Sequence, residues 1–210
     1  PKYPIVISLA SEAMRDDEVG PLRSYVAAGG FLFVGSSSFT RNPSGTTRGD
    51  FALGSEMGLH MVGTTLSNWY ENGSFNKVVD HRLVSHIPFG SLVWHMPLTA
   101  DQIPWGTTAG HAVHVNHYTW RVLGSGAEIL ANGGSGPLIA TNGYGKGRFI
   151  YHGGMQPLLG SFSYDAGMYS YVIFRRAIEW AFEASNVPIV KLSPWRYSND
   201  AAFVIRHDFE

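Results

Sequence analysis

Ile5-Val6-Ile7-Ser8-Leu9-Ala10, then Asp16-Asp17-Glu18 with Val19, Leu22 and Val26, then Gly29-Gly30 and Phe31-Leu32-Phe33-Val34, form the stretch that decides the fold. The two apolar runs are short and continuous, as in strands covered on both faces of a sheet. Between them, three acidic residues open a helix at the end where the backbone dipole favours negative charge. Val19, Leu22 and Val26 then line one helical face at i, i+3, i+7. Gly29-Gly30 stops the helix, because glycine accepts the left-handed conformation that a C-terminal cap requires. Strand, helix and strand in that order make a β-α-β unit with a right-handed crossover. The polar residues from Gly35 to Asp50 form a long loop at the carboxyl end of the second strand, the edge where open α/β sheets take ligands.

Downstream, residues 51 to 59 read as a short helix ending at Gly58. Residues 60 to 105 alternate brief apolar runs with Gly, Pro and Asn, which predicts an irregular insertion, about 60–110, containing short strands. Strand patterns return at 112–118, 127–131, 137–141 and 148–151, and the last two flank Asn142-Gly143-Tyr144-Gly145-Lys146-Gly147, a turn that suits a hairpin. The longest helix spans 164 to 185 and is ended by Asn186-Val187-Pro188. Ile189 to Leu192 is a strand candidate. The expected organisation is therefore an α/β domain over 1–192, a linker over 193–200 and the first strand of a further domain over 201–210.

At 210 residues, with 44% hydrophobic and 15% charged, the chain can bury a full single-domain core. A formal charge of -1 without a basic run leaves no electrostatic footprint for nucleic acid and no polybasic membrane patch. No apolar stretch approaches the length that spans a bilayer. The absence of cysteine removes disulfides, thiolate metal sites and cysteine nucleophiles, and leaves the compartment open.

Five groups of residues are candidates for chemistry. Ser36, Ser37 and Ser38 follow a buried strand, and with His152 they supply a nucleophile and a base. The stretch lacks the Gly-x-Ser-x-Gly spacing of a nucleophile elbow, however, and small hydroxyl residues also form turns. His111, His114 and His117 recur every three residues, which on a strand points them to alternate faces and works against a three-histidine metal site. Asp80 to His86, with His81, reads as a polar loop or a helix start. Trp69, Trp105 and Trp120 stand in an aromatic-dense region and offer sugar platforms, against the alternative that they pack in a core. Finally, Ala201 to Ile205 is an apolar strand running into Arg206-His207-Asp208-Phe209-Glu210. Strand alternation sends His207 and Phe209 one way and Arg206, Asp208 and Glu210 the other.

Arg15 to Gly35, with Leu22-Arg23-Ser24-Tyr25-Val26, Ala28-Gly29-Gly30 and Phe31-Leu32-Phe33-Val34-Gly35, resembles the class I glutamine amidotransferase-like fold. So do Asp50-Phe51-Ala52-Leu53 and Gly143 to Tyr151. The resemblance is strongest to the version that serves as the trimerisation domain of certain β-galactosidases. It implies a flavodoxin-like three-layer fold with a mainly parallel sheet over about residues 5 to 185. It also implies carbohydrate, or a carbohydrate-active catalytic domain, as partner, and homo-oligomerisation. His152 falls near that family's histidine, but the family's cysteine is absent and Gly153-Gly154-Met155 replaces the expected proline and glutamate, so the resemblance implies a non-catalytic copy without a cofactor. Arg206 to Glu210 resembles the opening motif of NodB-type polysaccharide deacetylases. By that resemblance Asp208 is a ligand to a divalent metal in the parent protein, and His207 stands where many members keep a catalytic-base aspartate.

Overall fold

A computed structural model describes residues 1–9, 11–35, 37–68, 74–93, 118–133, 136–153 and 164–190. The first β-α-β unit is present as read: β1 (Ile5–Ser8), α1 (Asp16–Ala27) and β2 (Phe31–Gly35), with β1 and β2 neighbouring and parallel. At the start of α1 the Glu18 carboxylate accepts from Arg15 N–H at 2.7 Å, which satisfies a donor the helix cannot reach. The short helix α2 (Gly54–Met57) ends at Gly58, whose φ of 66° is the left-handed cap. The remaining elements are β3 (Leu59–Asn68), β4 (Ser74–Lys77), β5 (Gly90–Val93), β6 (Tyr118–Gly124), β7 (Glu128–Gly133), β8 (Gly136–Tyr144), β9 (Gly147–His152) and α3 (Tyr164–Ala184).

A seven-stranded sheet runs in the order β1-β2-β9-β8-β7-β4-β5, and β3 and β6 form a separate antiparallel ribbon. The expectation of a mainly parallel sheet is corrected here, because the sheet is mixed. β1, β2 and β9 are parallel, whereas β8, β7, β4 and β5 join through antiparallel pairings. Loop length supplies the reason. Tyr144 pairs with Gly147 across two residues, and a connection that short can only reverse the chain, since a parallel return needs a dozen residues or more. The apolar runs of β8 and β9 are continuous because both faces are covered, a pattern that buried antiparallel strands share with parallel ones.

The stretch expected to form an irregular insertion contributes β4 and β5, which extend the sheet through Asn76↔Asn132 and Lys77↔Ala131. It also contributes a turn whose Leu83, Val84 and Ile87 are fully buried. Alternation along the strands then separates two cores. On one face Phe31, Phe33 and Ile150 pack with Leu83, Val84 and Ile87 and with Ile173, Ala177 and Ala181 of α3. On the other, Leu32, Val34, Phe149 and Tyr151 pack with Val26 of α1, Met57 of α2, and Leu59, Met61, Trp120 and Val122 of the ribbon. The arrangement is three-layered: α3 and the 83–87 turn cover one face of the sheet, and α1, α2 and the ribbon cover the other. Each fully buried large apolar side chain stabilises the fold by about 1.5–3 kcal/mol.

The hairpin turn also closes one end of α1. Lys146 N–H donates to Ala27 O at 3.0 Å, giving a partner in the turn to a carbonyl orphaned at the helix end, and Arg148 N–H donates to Gly30 O at 3.2 Å just past the helix. A Cβ on Gly147 would overlap Val26 O and Gly30 O. Glycine is required there by the closeness of the two backbones.

Candidate functional site

The carboxyl ends of β1, β2 and β9 carry the polar side chains that the sequence singles out. Gly35 pairs with His152, so the turn after β2 and the end of β9 leave the sheet together. In that turn Ser38 N–H donates to Gly35 O at 3.0 Å. The Ser8 hydroxyl donates to Ser38 Oγ at 2.9 Å, and the Ser38 hydroxyl donates to Ser8 O at 3.1 Å. The Ser37 carbonyl accepts from Thr40 Oγ1 at 2.7 Å, and Ser37 itself is buried. The Ser38 hydroxyl thus ties the loop to β1, while Thr40 fastens the turn on itself.

His152 is wholly buried and lies on the α3 face, its ring 6.3 Å from that of Phe33. Burial strips water from the imidazolium and pushes its pKa down to about 3. The ring is therefore neutral at pH 7. His81 is held down in the same direction, mainly by burial; its ring lies 5.2 Å from Trp180, and its Nδ1 accepts from Leu83 N–H at 3.2 Å. The turn around Asp80, His81 and His86 thus packs beneath α3, and Asp80 pairs with the buried Lys77 ammonium at 2.7 Å.

Trp120, one of the three expected sugar platforms, is 3% exposed and packs in the core beside Met61 and Val122. Its burial accounts for the ring by packing. Trp69, Trp105, His111, His114, His117, Ser36, His207 and Asp208 lie outside the described residues. Among the described residues no group of three His, Cys, Asp or Glu side chains is placed to hold a metal ion, and no helix is long and apolar enough to cross a membrane.

Two features escape the sequence reading. Asp50 Oδ2 meets His60 Nδ1 at 2.6 Å while Asp50 Oδ1 accepts from Phe51 N–H at 2.7 Å and Met61 N–H at 2.9 Å. One carboxylate thus ties the end of the long loop to the start of β3. The spacing of ten residues is neither helical nor strand-like, so no local pattern marks it.

The second is a cavity of about 600 Å³ at the carboxyl end of β1, between the 11–15 loop, the first turns of α1 and Phe39. Pro21 and Leu22 wall it above the buried Met14 and Phe39, and Ser11, Arg15, Asp17 and Glu18 stand at its polar edge. Phe39 adopts φ 66°, a left-handed conformation that costs a bulky residue about 1–2 kcal/mol. Hydrogen bonds offset this. Phe39 N–H donates to Ser11 O at 2.9 Å and Phe39 O accepts from Ala52 N–H at 3.0 Å. The loops around it are similarly fastened: Arg41 pairs with Glu12 at 2.9 Å, and Arg48 reaches Asp16 at 2.7 Å and the Met14 carbonyl.

The class these elements define is an α/β three-layer fold of the flavodoxin-like and amidotransferase-like kind, built on a mixed sheet. Among solved structures, the β-galactosidase of Bacillus circulans sp. alkalophilus is similar over 92% of this chain and 24% of its own, with 16% identity and a TM-score of 0.59. The cold-adapted β-galactosidase of Rahnella sp. R3 is similar over 89% of this chain and 23% of its own, with 16% identity and a TM-score of 0.57. The cytoplasmic protein STM3548 of Salmonella typhimurium is similar over 85% of this chain and 72% of its own, with 13% identity and a TM-score of 0.50. At such identities the likeness is one of fold. The chain spans about a quarter of the length of the two β-galactosidases. No family model and no curated protein sequence matches it.

Proposed function

We propose that this chain is a non-catalytic accessory domain of a carbohydrate-active protein, which positions or assembles the polypeptide to which it belongs. The observation that carries the reading is the likeness of nearly all of this chain to a part of each β-galactosidase, with TM-scores of 0.57 and 0.59. Two features of the chain support it. It holds no cysteine for amidotransferase chemistry, and the histidine at the place of that family's base is wholly buried. On this reading the domain stands ahead of a metal-dependent polysaccharide deacetylase, for which the support is the likeness of Arg206 to Glu210 to that family's opening motif. Asp208 would then be a metal ligand and His207 would stand in the base position. Trp69 and Trp105 remain candidates for sugar contact.

Two measurements test it. Light scattering and sedimentation give the assembly state of the isolated domain, expected to be oligomeric. Assays of the full-length polypeptide on β-linked N-acetylglucosamine oligomers, with and without a divalent metal, read deacetylation, expected only with the metal and only when the downstream region is present. Hydrolytic turnover by the isolated domain that disappears in both Ser37→Ala and His152→Ala would instead establish the rival reading, a serine–histidine hydrolase.

A further inference from the structure

We propose that the cavity beside Phe39 is a binding site for a neutral sugar residue. Its volume of about 600 Å³ falls within the roughly 300–1,000 Å³ of small-molecule sites. It also lies at the carboxyl edge of parallel strands, where the loops of such sheets take ligands.

Charge selects the ligand class. The first turn of α1 carries Asp16, Asp17 and Glu18, whose carboxylates already complement the helix dipole and repel a further anion. The Glu18 N–H is turned back to Arg15 O at 3.1 Å, which removes one of the donors that a phosphate would use at a helix start. A cation would have to compete for carboxylates that are already engaged, Asp17 by the Arg15 guanidinium, Glu18 by Arg15 N–H and Asp16 by Arg48. What the edge offers is a donor and an acceptor side by side, with the Ser11 hydroxyl near them. That set pairs with vicinal hydroxyls, each of which both donates and accepts. The apolar surface of Pro21 and Leu22, above the buried Met14 and Phe39, suits the C–H face of a pyranose ring. The choice of a sugar over other neutral polyols rests on the carbohydrate-associated reading above.

The site is also built in advance. The Arg41–Glu12 and Arg48–Asp16 pairs, with the Arg48 bond to Met14 O, hold the two loops in one arrangement, and pre-ordering lowers the entropy cost of binding. None of these residues belongs to the Ser37–His152 region or to the tryptophans offered as sugar contacts.

The test is an amide-resolved NMR titration of the isolated domain with galactose, N-acetylglucosamine and their β-linked tetrasaccharides, with galacturonate as an anionic counterpart. Saturable shifts confined to residues 11–22 and 39 are expected, at least tenfold weaker for galacturonate than for galactose. The double variant Arg15→Ala/Asp17→Asn should weaken binding at least tenfold with an unchanged thermal midpoint, while Arg121→Ala on the β6 strand should leave binding unaltered. No saturable shift with any neutral sugar, shifts centred elsewhere, or equal binding of galacturonate would overturn the proposal. Sedimentation of the double variant separates the two readings. Loss of sugar binding with assembly retained supports the pocket independently of any scaffolding role, whereas absence of binding in an oligomeric wild type removes the pocket and leaves the accessory reading standing.

Discussion

At the amino ends of β1, β2 and β9, main chain meets main chain, whereas at their carboxyl ends side-chain pairs are added to main-chain bonds such as Phe39 N–H to Ser11 O and Arg41 N–H to Glu12 O. The amino end is closed by Lys146 N–H on the last carbonyl of α1 and Arg148 N–H on Gly30 O just beyond it, with Gly147 packed against Val26 O and Gly30 O. Tyr25 adds its hydroxyl, 3.1 Å from both Tyr3 O and Phe31 O. At the carboxyl end Ser8–Ser38, Arg41–Glu12 and Arg48–Asp16 reinforce the main-chain bonds of the loops, and beside them a cavity stays open. Backbone packing leaves no room for variation in side chain. Side-chain fastening orders a loop and still leaves space beside it, which is what a binding edge requires. If the cavity binds as proposed, recognition falls at the end of these strands opposite the backbone-packed one.

Gly147→Ala is the substitution that strains this contrast most. Its Cβ must displace two backbone carbonyls, and a loss of more than about 3 kcal/mol in urea denaturation is expected. A well-folded Gly147→Ala protein would show that the closed end is looser than described. His152 ranks next and is read by pH. Its folded-state pKa of about 3 lies below the ordinary 6.5, so the unfolded chain takes up the proton first as the pH falls. The stability it contributes is complete above about 6.5 and is lost progressively towards pH 3, by up to about 1.4 kcal/mol per pH unit. Denaturation midpoints at pH 7, 5.5 and 4.5 should therefore fall more steeply in the wild type than in His152→Leu, and parallel slopes would place the ring in water.

Ser38→Ala removes a buried hydroxyl that both donates and accepts, and about 1–2 kcal/mol should be lost, with amide exchange rising in residues 37–40. Tyr25→Phe should cost about 1 kcal/mol at neutral pH. Burial pushes the Tyr25 phenol up to about 12, so its contribution is intact below pH 10 and is lost as the pH rises towards 12; absorbance titration of the phenolate checks this. At the small end of the scale, Arg15→Ala should leave the thermal midpoint unchanged, because its pair with Asp17 is exposed on both sides. A fall in midpoint on that change would make Arg15 part of the scaffold and blur the division between the two ends.

Legibility in the sequence follows the range of the interactions. Val19, Leu22 and Val26 share a helical face within three turns, so α1 is readable from its own residues, and Gly143 to Gly147 marks its hairpin within one turn. The partner of β4 is not readable in this way. Asn76 meets Asn132 and Lys77 meets Ala131, across more than fifty residues of sequence, and nothing local to Ser74–Lys77 distinguishes a strand of the main sheet from one in a peripheral loop. The serines after β2 are visible as a motif, but their bonding to Ser8 depends on β1 lying alongside. Asp50 with His60 and the cavity beside Phe39 left no pattern at all, because both are made by loops whose shape is set by contacts elsewhere.

What the amino-acid order determined by itself is the opening β-α-β unit, the β8–β9 hairpin, the long helix α3 and the exclusion of thiol chemistry, since each depends on residues a few positions apart or on composition alone. Strand order, the joining of β4 and β5 to the sheet, the burial of Trp120 and His152, and the pocket at the carboxyl edge were decided only by the tertiary structure. Those features arise when segments distant in sequence compete for the same covered faces, and the outcome depends on which surfaces fit together rather than on the propensity of any one segment.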